Sequence, residues 1–262
     1  SFACIGSTAL TSRAVQRVST EATTSNEAQA MQAWKQAHPD WPIWVHTKHS
    51  PSGWGWNTVA VHLRDESLLL TSPTSDMSDS THAELKQIGL PRFLLVSNHY
   101  HTLGIDEFVS RYPSVRVLCS EVAKQRLTHK LQNPLRHLDT AQEFLPSELQ
   151  ILEPAGTKTG EVWVELQKNN AYAWVVADAF FNLFQHPRGL MNLPARLTQV
   201  TPGLQLGKTF RWFAIRDRTA YKHWFERAVT RATPTLLVPA HGDVLQDAEL
   251  ARRLLTLVHA RL

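Results

Sequence analysis

The chain has 262 residues, a net charge of +4 and 43% hydrophobic residues, which suits one large α/β domain or two small ones and excludes a disordered chain. Its basic residues are scattered, so a nucleic-acid surface is not indicated. The longest apolar stretch, around 171–181, is interrupted by Asp178 and falls well short of the roughly 20 residues that a spanning helix needs. We therefore expect a soluble protein with no membrane span and no nucleic-acid partner. Its oligomeric state stays open.

The N-terminal segment has a distinct composition. It is rich in Ser, Thr, Ala and Arg and carries no acidic residue before Glu21. This is typical of an organelle-targeting segment and equally of a loosely attached arm, and without targeting the protein would be cytoplasmic. Good helix formers before Pro39 predict a short helix over residues 27–38, since proline denies the preceding residue a helical conformation. Residues 1–42 are assigned to this arm and helix, and residues 43–262 to the folded domain.

The first half of the domain changes from strands alone to strands alternating with helices. Residues 43–48 and 58–63 flank the turn-rich HSPSGWGWN and predict a hairpin with Trp54 and Trp56 at its tip. A third strand follows at 67–71, and then a helix that is capped by Ser80 or Thr81 and ends at Gly89. Strands at 93–97 and 115–119 alternate with helices at 105–111 and after Ser120. The cysteines, Cys4 and Cys119, form no metal-type pair, and we expect two free thiols.

The second half repeats this order with new material. Strands are predicted at 149–152, 161–167 and 171–177, followed by an irregular insertion over 180–210. Residues 218–231 form an amphipathic helix, 235–238 a last strand and 248–262 a last helix. Two halves of this kind predict an α/β fold in which two packed mixed sheets carry helices on both outer faces, an αββα sandwich.

Three buried strands end in residues that can bind metal. They are LLVSNHYH, with His99 and His101, WVVADAF, with Asp178, and LLVPAHGD, with His241 and Asp243. Alone, each pattern is weak, because an isolated His-x-His is more often a surface loop and a strand-end Asp more often a turn former. Strand ends on one sheet edge can converge, and imidazoles with a carboxylate suit zinc, iron or manganese. We therefore expect His101, Asp178 and His241 to meet. No Gly-x-Ser-x-Gly elbow or phosphate-cradling loop offers a competing chemistry.

These stretches, together with LLLTSP after the hairpin and EPAGTKTGEVWVEL, resemble the metallo-β-lactamase superfamily over residues 43–262. More narrowly, the chain resembles an uncharacterised branch of that superfamily in which the metal motif is eroded. It implies an αββα sandwich with its site on one sheet edge. It also places SPSGWGWN where the family carries a mobile loop, so that Trp54 and Trp56 either pack locally or close over an apolar substrate.

The resemblance also shows what this chain has lost. Aligned on Gly104, the family motif His-x-His-x-Asp-His puts its last His on His101, its Asp on Tyr100 and its first two His on Val96 and Asn98. The next family ligand falls on Thr157, and the family's early-strand Asp falls on Ser72, with Asp76 a few residues on. Most of the first metal position is thus gone, whereas His101, Asp178 and His241 keep the second.

These three ligands predict at most one metal ion, with zinc the first expectation, and an open position for a water. The function that follows is metal-dependent hydrolysis of an unknown small-molecule substrate, with Asp178, His241 and His101 in the catalytic centre. Trp54, Trp56, His99 and Tyr100 are expected near the substrate, and His99 or Asp243 could assist. A shifted register would make His99 a fourth ligand. The rival is a metal-free, non-catalytic binding or scaffold protein in which Asp178 only bridges two imidazoles.

Overall fold

Two mixed β-sheets packed face to face form the centre of the fold. The computed structural model describes residues 33–51, 54–184, 186 and 201–262, and its folded unit runs from Trp34 to Leu262. In this described part, the first sheet has seven strands paired in chain order: β1 (Lys35–Gln36), β2 (Ile43–His49), β3 (Gly55–His62), β4 (Leu68–Thr71), β5 (Pro91–Leu95), β6 (Arg116–Cys119) and β7 (Leu135–His137).

The second sheet is built from the later part of the chain. Its five strands in the described residues pair in the order β14-β13-β10-β9-β8: β8 (Leu149–Leu152), β9 (Trp163–Lys168), β10 (Ala171–Val176), β13 (Pro234–Pro239) and β14 (Leu245–Gln246). A separate antiparallel pair is formed by β11 (Phe180–Leu183) and β12 (Gly203–Leu206). The helices are α1 (Asp79–Ile88), α2 (Ile105–Arg111), α3 (Glu121–Leu127), a 3₁₀ helix (Leu138–Phe144), a π-helix (Phe210–Ala214), α4 (Arg218–Arg231) and α5 (Leu250–Arg261).

Alternating side chains place one apolar layer between the sheets and another beneath helices. Val61 and Phe93 of the first sheet share a buried cluster with Val164 and Val175 of the second. Trp163, next to Val164, points to the opposite face and packs with Phe225 of α4. Each such fully buried side chain stabilises the fold by about 1.5–3 kcal/mol. The second sheet is therefore covered on both faces.

Helices α1, α2 and α3 cross between the parallel strands β4 to β7 of the first sheet. Such crossovers are right-handed, so these helices lie on one face of the sheet, which is the face away from the second sheet. They bury Leu85, Phe108 and Leu127. The predicted αββα sandwich is thus confirmed. No helix in the described ranges has the length and apolar character to cross a bilayer.

Two local predictions are wrong. The helix expected over 27–38 is absent where the structure describes it, because Lys35 and Gln36 form β1 and pair with Val45 and Trp44 of β2. Residues 27–32 lie outside the described part. The segment 180–210, expected to be irregular, contains two paired strands, β11 and β12, and runs into the π-helix at Phe210. Its residues 185 and 187–200 are likewise outside the described part.

Candidate metal centre

The three predicted ligands meet at the carboxyl ends of strands. Strands β10 and β13 are parallel neighbours whose last residues, Val176 and Pro239, are paired. This brings together Asp178 and His241, which follow those strands, and His101 reaches them from the loop after β5. The Nε2 atom of His101 lies 3.0 Å from Asp178 Oδ1, and Nε2 of His241 lies 3.2 Å from the same oxygen. The three ligand atoms all lie within 4.8 Å of one another.

The loop that carries His241 is held from two sides. Gly242 has φ of +90°, and a Cβ there would collide with the carbonyl of Asn182, so the Pro-Ala-His-Gly turn requires glycine. The Nδ2 atom of Asn57 in β3 donates to the carbonyls of Pro239 at 2.8 Å and Gly242 at 2.7 Å. These contacts fix the imidazole of His241 beside the carboxylate of Asp178.

The electrostatics of the cluster keep Asp178 ionised. Burial alone would raise the pKa of its carboxyl, but the charge and hydrogen bonds of His101 and His241 hold that pKa well below its usual range. Burial acts in the other direction on His101 and would lower its pKa, but the charge and hydrogen bond of Asp178 and the charge of Glu161 together outweigh burial and raise that pKa. An ionised carboxylate with two imidazole nitrogens facing it is a set of donors that a divalent metal ion can use.

His99 does not join this cluster. Its Nδ1 atom lies 2.9 Å from the carbonyl of Thr159, and its Nε2 atom lies 2.9 Å from a guanidinium nitrogen of Arg126. A carbonyl only accepts and a guanidinium only donates, so the imidazole is neutral with its proton on Nδ1. Both ring nitrogens are occupied, and His99 is thus not a fourth ligand. Its ring packs against that of Tyr100 at a tilt of 40°, with the centroids 4.0 Å apart.

Four further residues that the sequence singled out lie outside the cluster. Asp243 is exposed, and its backbone N–H donates to the carbonyl of Asn182. Asp76 is exposed and pairs with Lys48 at 2.8 Å. Thr157 forms a β-bridge with Ile215, and its hydroxyl donates to the carbonyl of Pro154. Ser72 shares a hydrogen bond with Ser97 at 3.0 Å and lines a cleft beside the site.

Two clefts meet at Tyr100, Asp178 and His241. The smaller, of about 200 Å³, contains Trp56, Ser72 and His101 among its lining residues. The larger, of about 400 Å³, is mainly aromatic and apolar: Trp54, Tyr100, Phe181, Thr209, Phe210, Phe213 and Ala214, with Asp178 and His241 at its end. Both tryptophans are half-buried, and Trp54 packs on the rings of Phe181 and His241. Trp54, Trp56 and Tyr100 thus line the clefts beside Asp178 and His241, and their contact with a substrate stays a prediction.

The sequence reasoning missed a buried carboxylate behind the ligands. Glu161 is 1% exposed and was read only as the start of a strand. Burial, and secondly the charge of Asp178, raise its pKa to about 7. An acidic residue directly before the apolar Val162-Trp163-Val164 was the available signal, because a charge in a buried run needs a specific partner. Asn98 is that partner, at 3.0 Å.

No family model and no curated protein sequence matches the chain. Solved structures do match it. The DIM-1 metallo-β-lactamase is 16% identical and is aligned over 87% of this chain and 96% of its own, with a TM-score of 0.55. The metallo-β-lactamase from Pontibacter korlensis is 16% identical over 86% and 98%, with a TM-score of 0.55. FIM-1 from Pseudomonas aeruginosa, in its mono-zinc form, is 14% identical over 84% and 92%, with a TM-score of 0.52. This chain has the metallo-β-lactamase fold.

Proposed function

We propose that the protein is a metal-dependent hydrolase that uses one divalent transition metal ion held by His101, Asp178 and His241. The observation that carries this proposal is the convergence of three ligand atoms within 4.8 Å of one another, at the point where two clefts meet. Zinc is the first expectation, because two imidazole nitrogens and a carboxylate oxygen form a common catalytic zinc set that leaves a position open. FIM-1, which shares the fold, is described in a mono-zinc form.

The metal ion and the protein side chains would have different roles in this hydrolysis. When bound, a divalent ion held by these three residues would supply Lewis-acid activation of a water molecule near neutral pH. Asp178 supplies the negative charge, and the half-buried imidazoles of His101 and His241 orient the ligand set. The larger cleft is lined by Trp54, Phe181 and other aromatic rings, which exclude water and favour a substrate with an apolar group next to the bond that is cleaved.

A second candidate is a non-catalytic binding or scaffold protein that acts through the loop bearing Trp54 and Trp56. One contact favours it: the indole Nε1 of Trp54 donates to Nδ1 of His241 at 3.2 Å. An imidazole that accepts at Nδ1 carries its proton on Nε2 when neutral, and that proton points at Asp178 Oδ1. Asp178 is then hydrogen-bonded between two imidazoles without any ion.

Metal content separates the two candidates. The purified protein is analysed for bound metals and titrated with Zn²⁺ by calorimetry, beside the double variant His101→Ala/His241→Ala. The hydrolase proposal expects one ion in the parent protein and none in the variant, together with Zn²⁺-dependent turnover of a member of a chromogenic ester, thioester and β-lactam panel. A parent protein that takes up no more Zn²⁺ than the double variant would leave the binding-protein candidate.

A further inference from the structure

A hydrogen-bonded pair of side chains lies behind the ligand cluster. Glu161 accepts from the indole Nε1 of Trp163 at 3.0 Å and from the backbone N–H of Ala179 at 3.2 Å, both at Oε1. Its second oxygen, Oε2, accepts from Nδ2 of Asn98 at 3.0 Å. Asn98 and Glu161 are 0% and 1% exposed. A carboxylate buried this deeply is costly unless every oxygen is hydrogen-bonded, and here both are.

The orientation of the Asn98 amide follows from its neighbours. Its Oδ1 atom accepts from the backbone N–H of Tyr100 at 2.8 Å. Its Nδ2 atom faces two carboxylates, Glu161 Oε2 at 3.0 Å and Asp178 Oδ2 at 2.8 Å. The reversed amide would set its oxygen against both carboxylates and its NH₂ against an N–H, so only this orientation satisfies all the groups.

The two carboxylate oxygens of Asp178 therefore have different partners. Oδ2 accepts from Asn98, while Oδ1 is the oxygen that both His101 and His241 face. Groups behind metal ligands commonly orient the ligand and tune its affinity, and their removal costs about 10–100-fold in metal binding.

We propose that Asn98 is a positioning residue for the metal site and that Glu161 anchors it. This inference rests on the proposed function, because it assumes that Asp178 binds a metal ion. It adds that Asn98, which the resemblance places at one of the family's first-metal ligand positions, instead takes part in a hydrogen-bonded pair that presents Oδ1 of Asp178 to a single ion.

The chain offers a matched control for Glu161. Glu165 is 2% exposed and also accepts from a tryptophan indole, that of Trp174 at 2.8 Å, but its other partner is Arg231. Glu161→Gln and Glu165→Gln each remove one buried negative charge at nearly constant volume. Only the first replaces the oxygen that accepts from Asn98. Asn98→Ala removes the positioning amide itself, and circular dichroism shows which variants are folded.

The experiment is a Zn²⁺ titration of each variant by calorimetry in competition with a chelator, supported by the absorption spectrum of the Co²⁺-loaded protein. We expect Glu161→Gln and Asn98→Ala to weaken Zn²⁺ binding about 10–100-fold and to shift the Co²⁺ bands, with one ion bound throughout. Glu165→Gln should keep the parent affinity. If Asn98→Ala does not fold, Glu161→Gln decides.

Four results would overturn the inference, and they bear differently on the proposed function. Unchanged affinity in Glu161→Gln, or equal weakening in Glu165→Gln, removes the positioning role and leaves the hydrolase proposal intact. Two tightly bound Zn²⁺ ions in the parent protein show that the place behind Asp178 is open to a metal, which again spares the hydrolase proposal. A parent protein that binds no Zn²⁺ removes both.

Discussion

The indole of Trp54 donates a hydrogen bond to the imidazole of His241, and this bond is incompatible with a metal ion on the other ring nitrogen of His241. Nε1 of Trp54 only donates, and it points at Nδ1 of His241 at 3.2 Å. If His241 binds an ion through Nε2, the neutral imidazole carries its proton on Nδ1, and two N–H groups then face each other. Metal binding would therefore displace the indole, which would couple the Trp54 loop to the proposed metal site.

This coupling predicts that Trp54→Phe strengthens metal binding. The substitution keeps an aromatic ring beside Phe181 but removes the N–H that competes for His241. One hydrogen bond contributes about 0.5–1.5 kcal/mol net, so the Zn²⁺ affinity should rise about 2–10-fold. Trp56→Phe is the matched control, because residue 56 meets His241 through a backbone β-bridge that the substitution preserves. Calorimetric titration measures both, and equal or weaker Zn²⁺ binding in Trp54→Phe would contradict the coupling.

A second prediction concerns His99. Because Arg126 and the carbonyl of Thr159 occupy both of its ring nitrogens, His99→Gln should leave the Zn²⁺ stoichiometry unchanged and the affinity within about threefold of the parent. His101→Gln should abolish binding, since it removes one of three ligands. Elemental analysis of the two variants side by side is the measurement. Loss of the ion in His99→Gln would bring back the register in which His99 is a ligand.

The strand-end residues were predictable because their pattern is local. An apolar run that ends in His or Asp appears within a few letters, and the pairing of β10 with β13 needs only the usual behaviour of parallel strands. Helix α4 was found with its observed bounds, Arg218–Arg231, for a similar reason: Tyr221, Phe225 and Val229 recur at helical spacing. The site residues that belong to this pattern can therefore be predicted from the sequence alone.

What escaped the sequence depends on contacts between distant residues. His99 is excluded as a ligand in favour of His101 because Arg126 donates to one ring nitrogen of His99. The role of Glu161 depends on Asn98, which meets it only once the two sheets have packed. Lys35 and Gln36 have good helix propensity, but pairing with the exposed edge of β2 outweighs it. The partners of His99 and Glu161 lie far away in sequence.

A third prediction is that the metal-free protein loses stability as the pH rises from about 6.5 to 8, through deprotonation of Glu161 and His101. The pKa of Glu161, 4.5 in its ordinary state, is raised to about 7 by burial and by the charge of Asp178, so the folded state binds more protons between these values. His101, whose pKa is also raised, extends the loss above its ordinary 6.5. Stability falls with pH wherever the folded state binds more protons than the unfolded state. The pKa values of His82 and His99, which burial lowers, act in the opposite direction below their ordinary 6.5. The lowered pKa of Asp178 also does so, but only below its ordinary 3.8. The net loss is therefore expected above pH 6.5.

Urea denaturation in the presence of a chelator at pH 5, 6, 7 and 8 measures this dependence. In Glu161→Gln, the free energy of unfolding should fall less between pH 5 and 7 than in the parent protein. In Glu165→Gln, its dependence on pH should match that of the parent protein. Saturating Zn²⁺ should restore stability at pH 8. The positive charge of the ion would then offset the negative charges of Asp178 and Glu161, as the bound protons do at lower pH. A parent protein that is equally stable at all four values, or a Glu161→Gln variant with the parent slope, would contradict the assignment.

The last prediction concerns how much of the fold rests on the tip of the β2–β3 hairpin. Trp54 and Trp56 are half-buried at the clefts and belong to neither apolar core cluster, whereas Trp163 is 0% exposed within the cluster beneath α4. Truncating a fully buried aromatic side chain to alanine costs about 3–5 kcal/mol. At about 2–4 °C per kcal/mol for a domain of this size, Trp163→Ala should lower the melting temperature by about 10 °C. The double variant Trp54→Ala/Trp56→Ala should lose about 3 °C or less, while weakening the binding of an apolar probe such as a naphthalene sulfonate to the clefts. A loss in the double variant as large as that of Trp163→Ala would make the tryptophans part of the packed core and not a loop over the site.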